Sequence, residues 1–363
     1  LYLSPIFSAM HRTSTPRISI SLPVRDAEPW LGECLDSVLA QTEGNFEVLA
    51  VDDSSRDGSR RILDEYATRD PRIHVLETKE EDRGIVPALN LALAAAQAPY
   101  LARMDADDRM APERLALQAA ALDADASLFA DACRAAAFPA DQLRDGMRAY
   151  LDWQNSLLSP EELARDRFIE SPVLHPTVML RTGLVRECLG GWTDAGWPED
   201  WDFFLRAFEQ GLRIARLPDF LVEWRLHEQQ STRTHARYGE DALLAARANY
   251  LTRHVAREFS RGANEGRELW ILGAGPVGKA LVKALAHEGL VAAGLVDVDP
   301  RKIGGLVHGA GHRWRVVEHT ALRTMSPRPF AISAVSGTSA REGVRRELGN
   351  WGWAEGEDFV VAA

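Results

Sequence analysis

Tyr100-Leu-Ala-Arg-Met-Asp-Ala-Asp-Asp108 is the stretch on which the reading of this chain turns. A short apolar run with the character of a buried strand ends abruptly in three carboxylates, Asp105, Asp107 and Asp108. Met110-Ala-Pro-Glu-Arg114 follows, and Pro112 suits a helix start. Carboxylates at i and i+2 just past a strand end can reach one hard divalent cation together, and that cation can take diphosphate oxygens as further ligands. The same residues would also serve as a solvated loop that caps a helix, because short motifs recur without function. The surrounding chain has to decide.

Working outward, the chain before this stretch alternates regularly. Ile18-Ser-Ile-Ser-Leu22 reads as a strand, and Pro29 opens a helix with Leu31, Leu35, Val38 and Leu39 on one face. Phe46-Glu-Val-Leu-Ala-Val51 is a second strand, running into Asp52-Asp53-Ser54-Ser55. Asp57 can cap a helix carrying Ile62, Leu63 and Tyr66, Arg72-Ile-His-Val-Leu76 is a third strand, and Ile85 to Gln97 a third helix. This alternation implies a mostly parallel sheet with helices on both faces. Ligands of such sheets bind beyond the carboxyl ends of the strands. At those ends stand Pro23-Val-Arg-Asp26, the pair Asp52 and Asp53, the loop Lys79-Glu-Glu-Asp-Arg-Gly84, and the three aspartates. An acid there can accept from a base or a ribose hydroxyl, Arg83 can reach phosphate, and a metal can bridge a diphosphate. Together they describe a sugar-nucleotide pocket, although each alone has an ordinary explanation as a cap, a surface charge or a strand terminator.

Composition narrows the classes. The chain of 363 residues is long enough for two domains, and its formal charge of −11 argues against nucleic acid as the main partner. Cys34, Cys133 and Cys188 are widely spaced and odd in number, and read as thiols of a reducing compartment rather than a disulfide frame or zinc site. No apolar run reaches the length needed to cross a bilayer. Leu1 to Ala9 lack a basic n-region and contain Pro5, a poor signal peptide, and Met10 is a candidate start. The expectation is a cytoplasmic enzyme, one that could work at the inner face of the membrane. Its oligomeric state is not readable.

Val51-Asp-Asp-Ser-Ser-Arg-Asp-Gly58, Asp105-Ala-Asp-Asp108 and Pro198-Glu-Asp-Trp-Asp202 stand in the order and spacing of the family-2 glycosyltransferases of the GT-A fold. From about Arg17 to Thr232 the chain resembles that family. The resemblance implies inverting transfer from a nucleotide-diphosphate sugar to a glycan or lipid-linked acceptor in cell-surface polysaccharide synthesis. It implies Asp52 near the base, Asp105 and Asp107 on the ribose and on Mg²⁺ or Mn²⁺, and Asp200 as the general base. The expected donor contacts are thus Pro23, Asp26, Asp52, Asp53, Arg83 and Asp105. Arg25-Asp26 replaces the small or amide residue usual in the family, which leaves base preference open. Arg225 and His227 fall where relatives close over the diphosphate, and His227 is a candidate third metal ligand.

The acceptor side is less marked. Met147 to Leu163, with Tyr150, Trp153 and Leu157 at helical spacing, reads as one amphipathic helix that either packs in the core or borders the acceptor cleft. His175, beside Pro176, suits either substrate contact or a structural hydrogen bond. Gly190-Gly-Trp-Thr-Asp-Ala-Gly-Trp197 is a flexible aromatic loop whose Trp192 and Trp197 could stack on an acceptor sugar or simply anchor the loop, and Glu199 either orients the loop or the acceptor or competes with Asp200 as the base. A helix from Gly239 to Glu258 and a polar linker then separate a new unit. Glu268-Leu-Trp-Ile-Leu272 is a strand, Gly273-Ala-Gly-Pro-Val-Gly278 a Gly-x-Gly-x-x-Gly turn, and Asp297 ends the next strand nineteen residues past Gly278. Glycines there let phosphate approach a helix N-terminus, and the acid can hold ribose hydroxyls. Gly273, Gly275, Gly278 and Asp297 are therefore expected to bind NAD or a sugar nucleotide, or else to serve helix-strand packing alone. The expected division is an extension over 1–16 that is disordered, a GT-A domain over 17–235, a helix and linker over 236–266, and a small Rossmann-like α/β domain over 267–363. A contrasting reading is a catalytically silent scaffold that responds to NAD or another nucleotide; the full set of acidic positions favours catalysis.

Overall fold

A computed structural model describes residues 15–230, 234–260 and 266–363. Most of the expected N-terminal extension lies outside the described residues. β1 (Ile18–Val24), α1 (Leu31–Leu39), β2 (Phe46–Asp52), α2 (Ser59–Arg69), β3 (Ile73–Glu77), α3 (Ile85–Ala95) and β4 (Tyr100–Arg103) alternate as the sequence pattern requires. β1 pairs in parallel with β2 and β4, and β2 with β3. Every residue of β1 and β2 is buried, as strands covered on both faces must be. α1 turns Leu31, Cys34, Leu35 and Val38 onto the sheet. Cys34, Cys133 and Cys188 are free thiols, in keeping with the absence of a disulfide frame.

β5 (Arg109–Met110), α4 (Arg114–Ala124), β6 (Leu128–Phe138), α5 (Asp145–Ser156), α6 (Pro160–Arg165), β7 (Met179–Arg181), α7 (Glu199–Glu209) and β8 (Arg213–Arg225) complete an eight-stranded sheet of order β3-β2-β1-β4-β7-β6-β8-β5. Antiparallel pairing of β4 with β7, and of β7 with β6, turns the parallel half into a mixed sheet. The single helix expected over Met147 to Leu163 is two. Ser159 accepts from the Glu162 amide while the Glu162 side chain reaches back to the Ser159 amide, a capping box that, with Pro160 in the first turn, restarts the helix. Tyr150, Trp153 and Leu157 pack in or against the core.

Buried polar anchors fix the elements that carry the acids. Arg114, fully buried, donates from Nη2 to the Arg103 carbonyl at 2.9 Å and from Nε to Gln118 at 3.0 Å, tying α4 to the end of β4. A second unit follows α8 (Glu240–Ser260). It comprises β9 (Leu269–Leu272), α9 (Pro276–His287), β10 (Gly294–Asp297), β11 (Leu306–Gly309), β12 (His312–Glu318), β13 (Phe330–Ser333), α10 (Thr338–Asn350) and β14 (Phe359–Val361). Its sheet order is β11-β12-β10-β9-β13-β14, parallel except at the edge strand β11.

Asp202 ties α8 to the first unit. Its carboxylate, 3% exposed, accepts from Thr193 Oγ1 at 2.6 Å, Arg206 Nε at 2.8 Å, Tyr250 Oη at 2.7 Å and Trp197 Nε1 at 3.0 Å. The loop before α7, α7 itself and α8 thus share one anion. Burial pushes this carboxyl up, but the donated hydrogen bonds outweigh it and hold it below the usual carboxylate range. Asp202→Ala leaves four donors unpaired and should cost about 3 kcal/mol in a urea titration at pH 7. Because the folded-state value is depressed, the difference from wild type should persist above about pH 4 and shrink below it. A difference under about 1 kcal/mol at pH 7 would show that the four contacts do not hold the loop.

Candidate active site

A cavity of about 1040 Å³ opens beyond the carboxyl ends of β1, β2 and β4. Pro23, Asp26, Asp53, Arg83, Asp105, Asp107, Glu199, Asp200 and His227 all line it, so residues spread over two hundred positions meet in one place. Each arrives at a strand end or helix start, where a parallel sheet leaves its loops free.

The acidic cluster forms its floor. One carboxylate oxygen from each of Asp105, Asp107 and Asp108 lies within 4.8 Å of the others, a spacing that suits a hard cation with oxygen ligands. The three are not equivalent. Asp108 is fully buried and accepts the Arg225 amide at 2.8 Å, so only Asp105 and Asp107 face the cavity. Burial, then the charges of Asp107 and Asp105, push the Asp108 carboxyl well up. Desolvation also raises Asp105, partly offset by the Arg103 guanidinium, whose Nη2 is 2.7 Å from Asp105 Oδ1. His227 Nε2 lies 2.8 Å from Asp107 Oδ2, and its ring lies against Trp30 with centroids 3.9 Å apart. The candidate third ligand therefore stands beside the pair. Arg225 does not line the cavity; its Nε donates to the Asp107 carbonyl at 2.6 Å and braces the acidic loop from behind.

Across the cavity, α7 presents Glu199 and Asp200. Glu199, 3% exposed, accepts from Tyr238 Oη at 2.9 and 3.0 Å and from Arg237 Nη1 at 3.3 Å. It thereby anchors a segment that folds back over the site. Asp200 accepts backbone amides, that of Trp201 at 2.7 Å. Desolvation, and then the neighbouring charge of Glu199, push its carboxyl up to about 7.

Several expectations are corrected. Asp52, still within β2, is buried and accepts the Ser55 amide at 3.1 Å; Asp53 is the acid of this pair that lines the cavity. Asp53 also accepts from Thr78 Oγ1 at 2.8 Å and from the Gly84 amide at 2.9 Å, holding the Arg83 loop in place. Trp192 and Trp197 do not line the cavity. Trp192 is buried, stacked on Phe203 at 4.6 Å, with its Nε1 donating to His175 Nε2 at 3.2 Å. Trp197 spends its Nε1 on Asp202. His175 lines the cavity, and burial followed by the charge of Arg103 lowers its imidazole well below the usual value, so it is neutral. Arg103, Trp30, His235, Arg237 and Tyr238 line the cavity without having been singled out from sequence. Gly273, Gly275 and Asp297 belong to a different cavity, on the second sheet, and Gly278 lies beneath it.

Comparison with known proteins agrees with this geometry. Residues 19–189 match glycosyl transferase family 2. EpsE of Bacillus subtilis (strain 168), named as a glycosyltransferase, is 30% identical over 240 residues, which cover 65% of this chain and 82% of EpsE. TuaG of the same organism, named as a teichuronic acid biosynthesis glycosyltransferase, is 39% identical over 103 residues, 28% of this chain and 40% of TuaG. Among solved structures, residues 1–349 of S. aureus TarS in complex with UDP-GlcNAc superpose with a TM-score of 0.52 at 19% identity, covering 75% of this chain and 80% of that one. At that identity the likeness speaks for the fold alone, and the fold is GT-A. Order of motifs, sheet and relatives converge, and the chain belongs to glycosyl transferase family 2.

Proposed function

We propose that this protein is an inverting glycosyltransferase that moves a sugar from a nucleotide-diphosphate donor to a glycan or lipid-linked acceptor during cell-surface polysaccharide synthesis. One observation carries the reading: a pair of open carboxylates suited to a cation, Asp105 and Asp107, shares a single cavity with a carboxylate of raised pKa, Asp200. Pro23, Asp26, Asp53 and Arg83 line the same cavity, and in this reading the first three hold the nucleoside while Arg83 reaches the diphosphate. Mg²⁺ or Mn²⁺ held by Asp105 and Asp107, with His227 beside them, would supply charge neutralisation for the departing diphosphate. Asp200 takes the proton of the acceptor hydroxyl as that oxygen attacks the anomeric carbon. The bond to the diphosphate oxygen breaks on the opposite face, and a single displacement inverts the centre. Glu199, tied to Arg237 and Tyr238, positions the acceptor side rather than accepting the proton. A lipid-linked acceptor would place the work in the cytoplasm at the inner face of the membrane; among the described residues no helix is long and apolar enough to cross it.

Nucleotide release measured across UDP-, GDP- and dTDP-sugars identifies the donor, and release should stop in excess chelator and return with Mn²⁺. Full turnover with the cation removed sinks the metal assignment. Asp107→Asn should lower turnover on the order of 100-fold, whereas the buried Asp108→Asn should stay within about threefold; equal losses would mean the sealed carboxylate also coordinates. For the base, kcat should rise with pH through about 7 as Asp200 ionises. Asp200→Asn should lose about 10² to 10⁴ in kcat with little change in donor KM. An Asp200→Asn enzyme with wild-type kcat removes this residue from the role.

A further inference from the structure

The second sheet holds a cavity of about 330 Å³ that the transfer reaction does not use. It lies beyond the carboxyl ends of β9, β10 and β13, where the chain leaves β9 in two directions: β10 and β12 on one side, β13 and β14 on the other. Such a reversal is where parallel sheets open a crevice for ligands. The turn from Gly273 to Val277 lines one wall, and α10 supplies the opposite one through Val344 and Leu348, with Trp351 just past its end.

The three glycines of the turn have different reasons to be there. Gly273 adopts φ +97°, which a side chain disfavours. A Cβ on Gly278 would lie 1.8 Å from the Gly273 carbonyl oxygen, so only glycine lets α9 close on β9. Gly275, in contrast, is extended at φ −78°, and a Cβ there would meet nothing within 4 Å. The fold requires the first two and does not require the third. What the missing side chain of Gly275 does is leave room inside the cavity, in front of the start of the twelve-residue α9, where Pro276 has no N–H and Lys279 donates to the Gly275 carbonyl, so that the amides of Val277 and Gly278 are the first-turn donors. A phosphate fits that room and those donors.

The expected dinucleotide does not fit as well. Asp297, the acid that would hold a ribose diol, is buried and engaged: Oδ2 accepts from the Ala274 amide at 2.7 Å and from Lys302 Nζ at 2.9 Å, and Oδ1 from the Asp299 amide at 2.9 Å. It braces the glycine turn and brings a cation to the cavity wall. The volume is also close to the lower bound of roughly 300 Å³ for small-molecule sites, whereas a dinucleotide needs two such halves. Beyond the turn the walls are largely apolar, from Val277, Leu322, Val344, Leu348 and Trp351. At their edge, His319 Nε2 and Glu347 Oε1 pair at 2.9 Å, and the Trp351 ring lies nearly parallel to His319, at 24°. An anion cradle next to an apolar slot with a polar edge matches a phosphate joined to a planar heterocycle.

We infer that this cavity binds one nucleoside 5′-phosphate, its phosphate on the Gly275 turn beside Lys302 and its base against α10. It is a second nucleotide site, distinct from the donor cavity. The test is calorimetric titration of the full chain in excess chelator with AMP, GMP, UMP, adenosine and NAD, on wild type, Gly275→Val, Lys302→Met and, as a donor-site control, Asp53→Ala. One monophosphate should bind at 1:1. Gly275→Val, which puts branched carbon into open space, should weaken it at least about tenfold with an unchanged Tm, while Asp53→Ala should leave it as in wild type. Lys302→Met should narrow the gap between the phosphate and its nucleoside. Three results overturn the inference: no monophosphate binds at millimolar concentration; binding survives Gly275→Val but is lost in Asp53→Ala; or NAD binds more tightly than every monophosphate. None of these overturns the donor-site reading, which nucleotide release tests separately.

Discussion

Concentrated negative charge in one cleft is the constraint on which the rest of the site depends. Asp105, Asp107, Asp108, Glu199 and Asp200 come together, and their mutual repulsion has to be offset for the sheet to close around them. Each of the first four has a partner. Arg103, buried on β4, holds Asp105; His227 lies on Asp107; the Arg225 amide serves Asp108; Arg237 and Tyr238 serve Glu199. Asp200, like Asp108, is held by backbone amides, and burial with the charge of Glu199 raises its carboxyl to about 7. Burial beside a second carboxylate thus sets Asp200 near neutrality, a value that suits the proton acceptor proposed above.

This logic also explains which part of the site could be seen in the sequence. Strand ends are a property of topology, so once the alternation of strands and helices was read, Pro23, Asp53, Arg83, Asp105 and Asp107 were placed without knowledge of any contact. The choice between Asp52 and Asp53 was not legible. β2 runs one residue further than its apolar pattern suggests, and since side chains alternate along a strand, that residue turns Asp52 away and Asp53 toward the cavity. Trp192 and Trp197 were misread for a different reason. Glycines around them suggested a mobile loop, but Gly191 sits with φ +98° against Asn90, whose side chain hydrogen-bonds both the amide and the carbonyl of Trp192. That pairing spans a hundred positions, and no local pattern encodes it. The same holds for Arg237 and Tyr238, which reach Glu199 only because the chain folds back over α7. A cluster of His235, Arg237 and Tyr238 just ahead of a long helix was the one visible trace.

The second unit was legible as a fold and less so as chemistry. The spacing of Gly273, Gly275, Gly278 and Asp297 marks a strand, turn, helix and strand, and all four elements are present. Spacing alone cannot tell whether the acid is free. Lys302, five residues on, decides that, and its ion pair with Asp297 turns a presumptive ribose contact into a brace for the turn.

The two units are also mechanically continuous. α8 gives Tyr250 to Asp202 on the side of α7, while Leu251 and Val255 share a buried cluster with Leu281 and Leu285 of α9. From the other direction, Arg345 on α10 pairs with Asp166, which is 2% exposed and also accepts Trp153 Nε1 at 3.0 Å in the core of the first sheet. α10 is a wall of the second cavity. Asp166 also pairs with Arg165 Nε at 2.8 Å, so separating α10 from it would remove one of the two cations that hold this buried carboxylate. Occupancy of the second cavity therefore bears on an element that the transferase half holds by a buried charge, and any displacement of α10 has to be shared with the core beneath α5 and α6. The arrangement fits a unit that stiffens the transferase rather than one tethered loosely beside it.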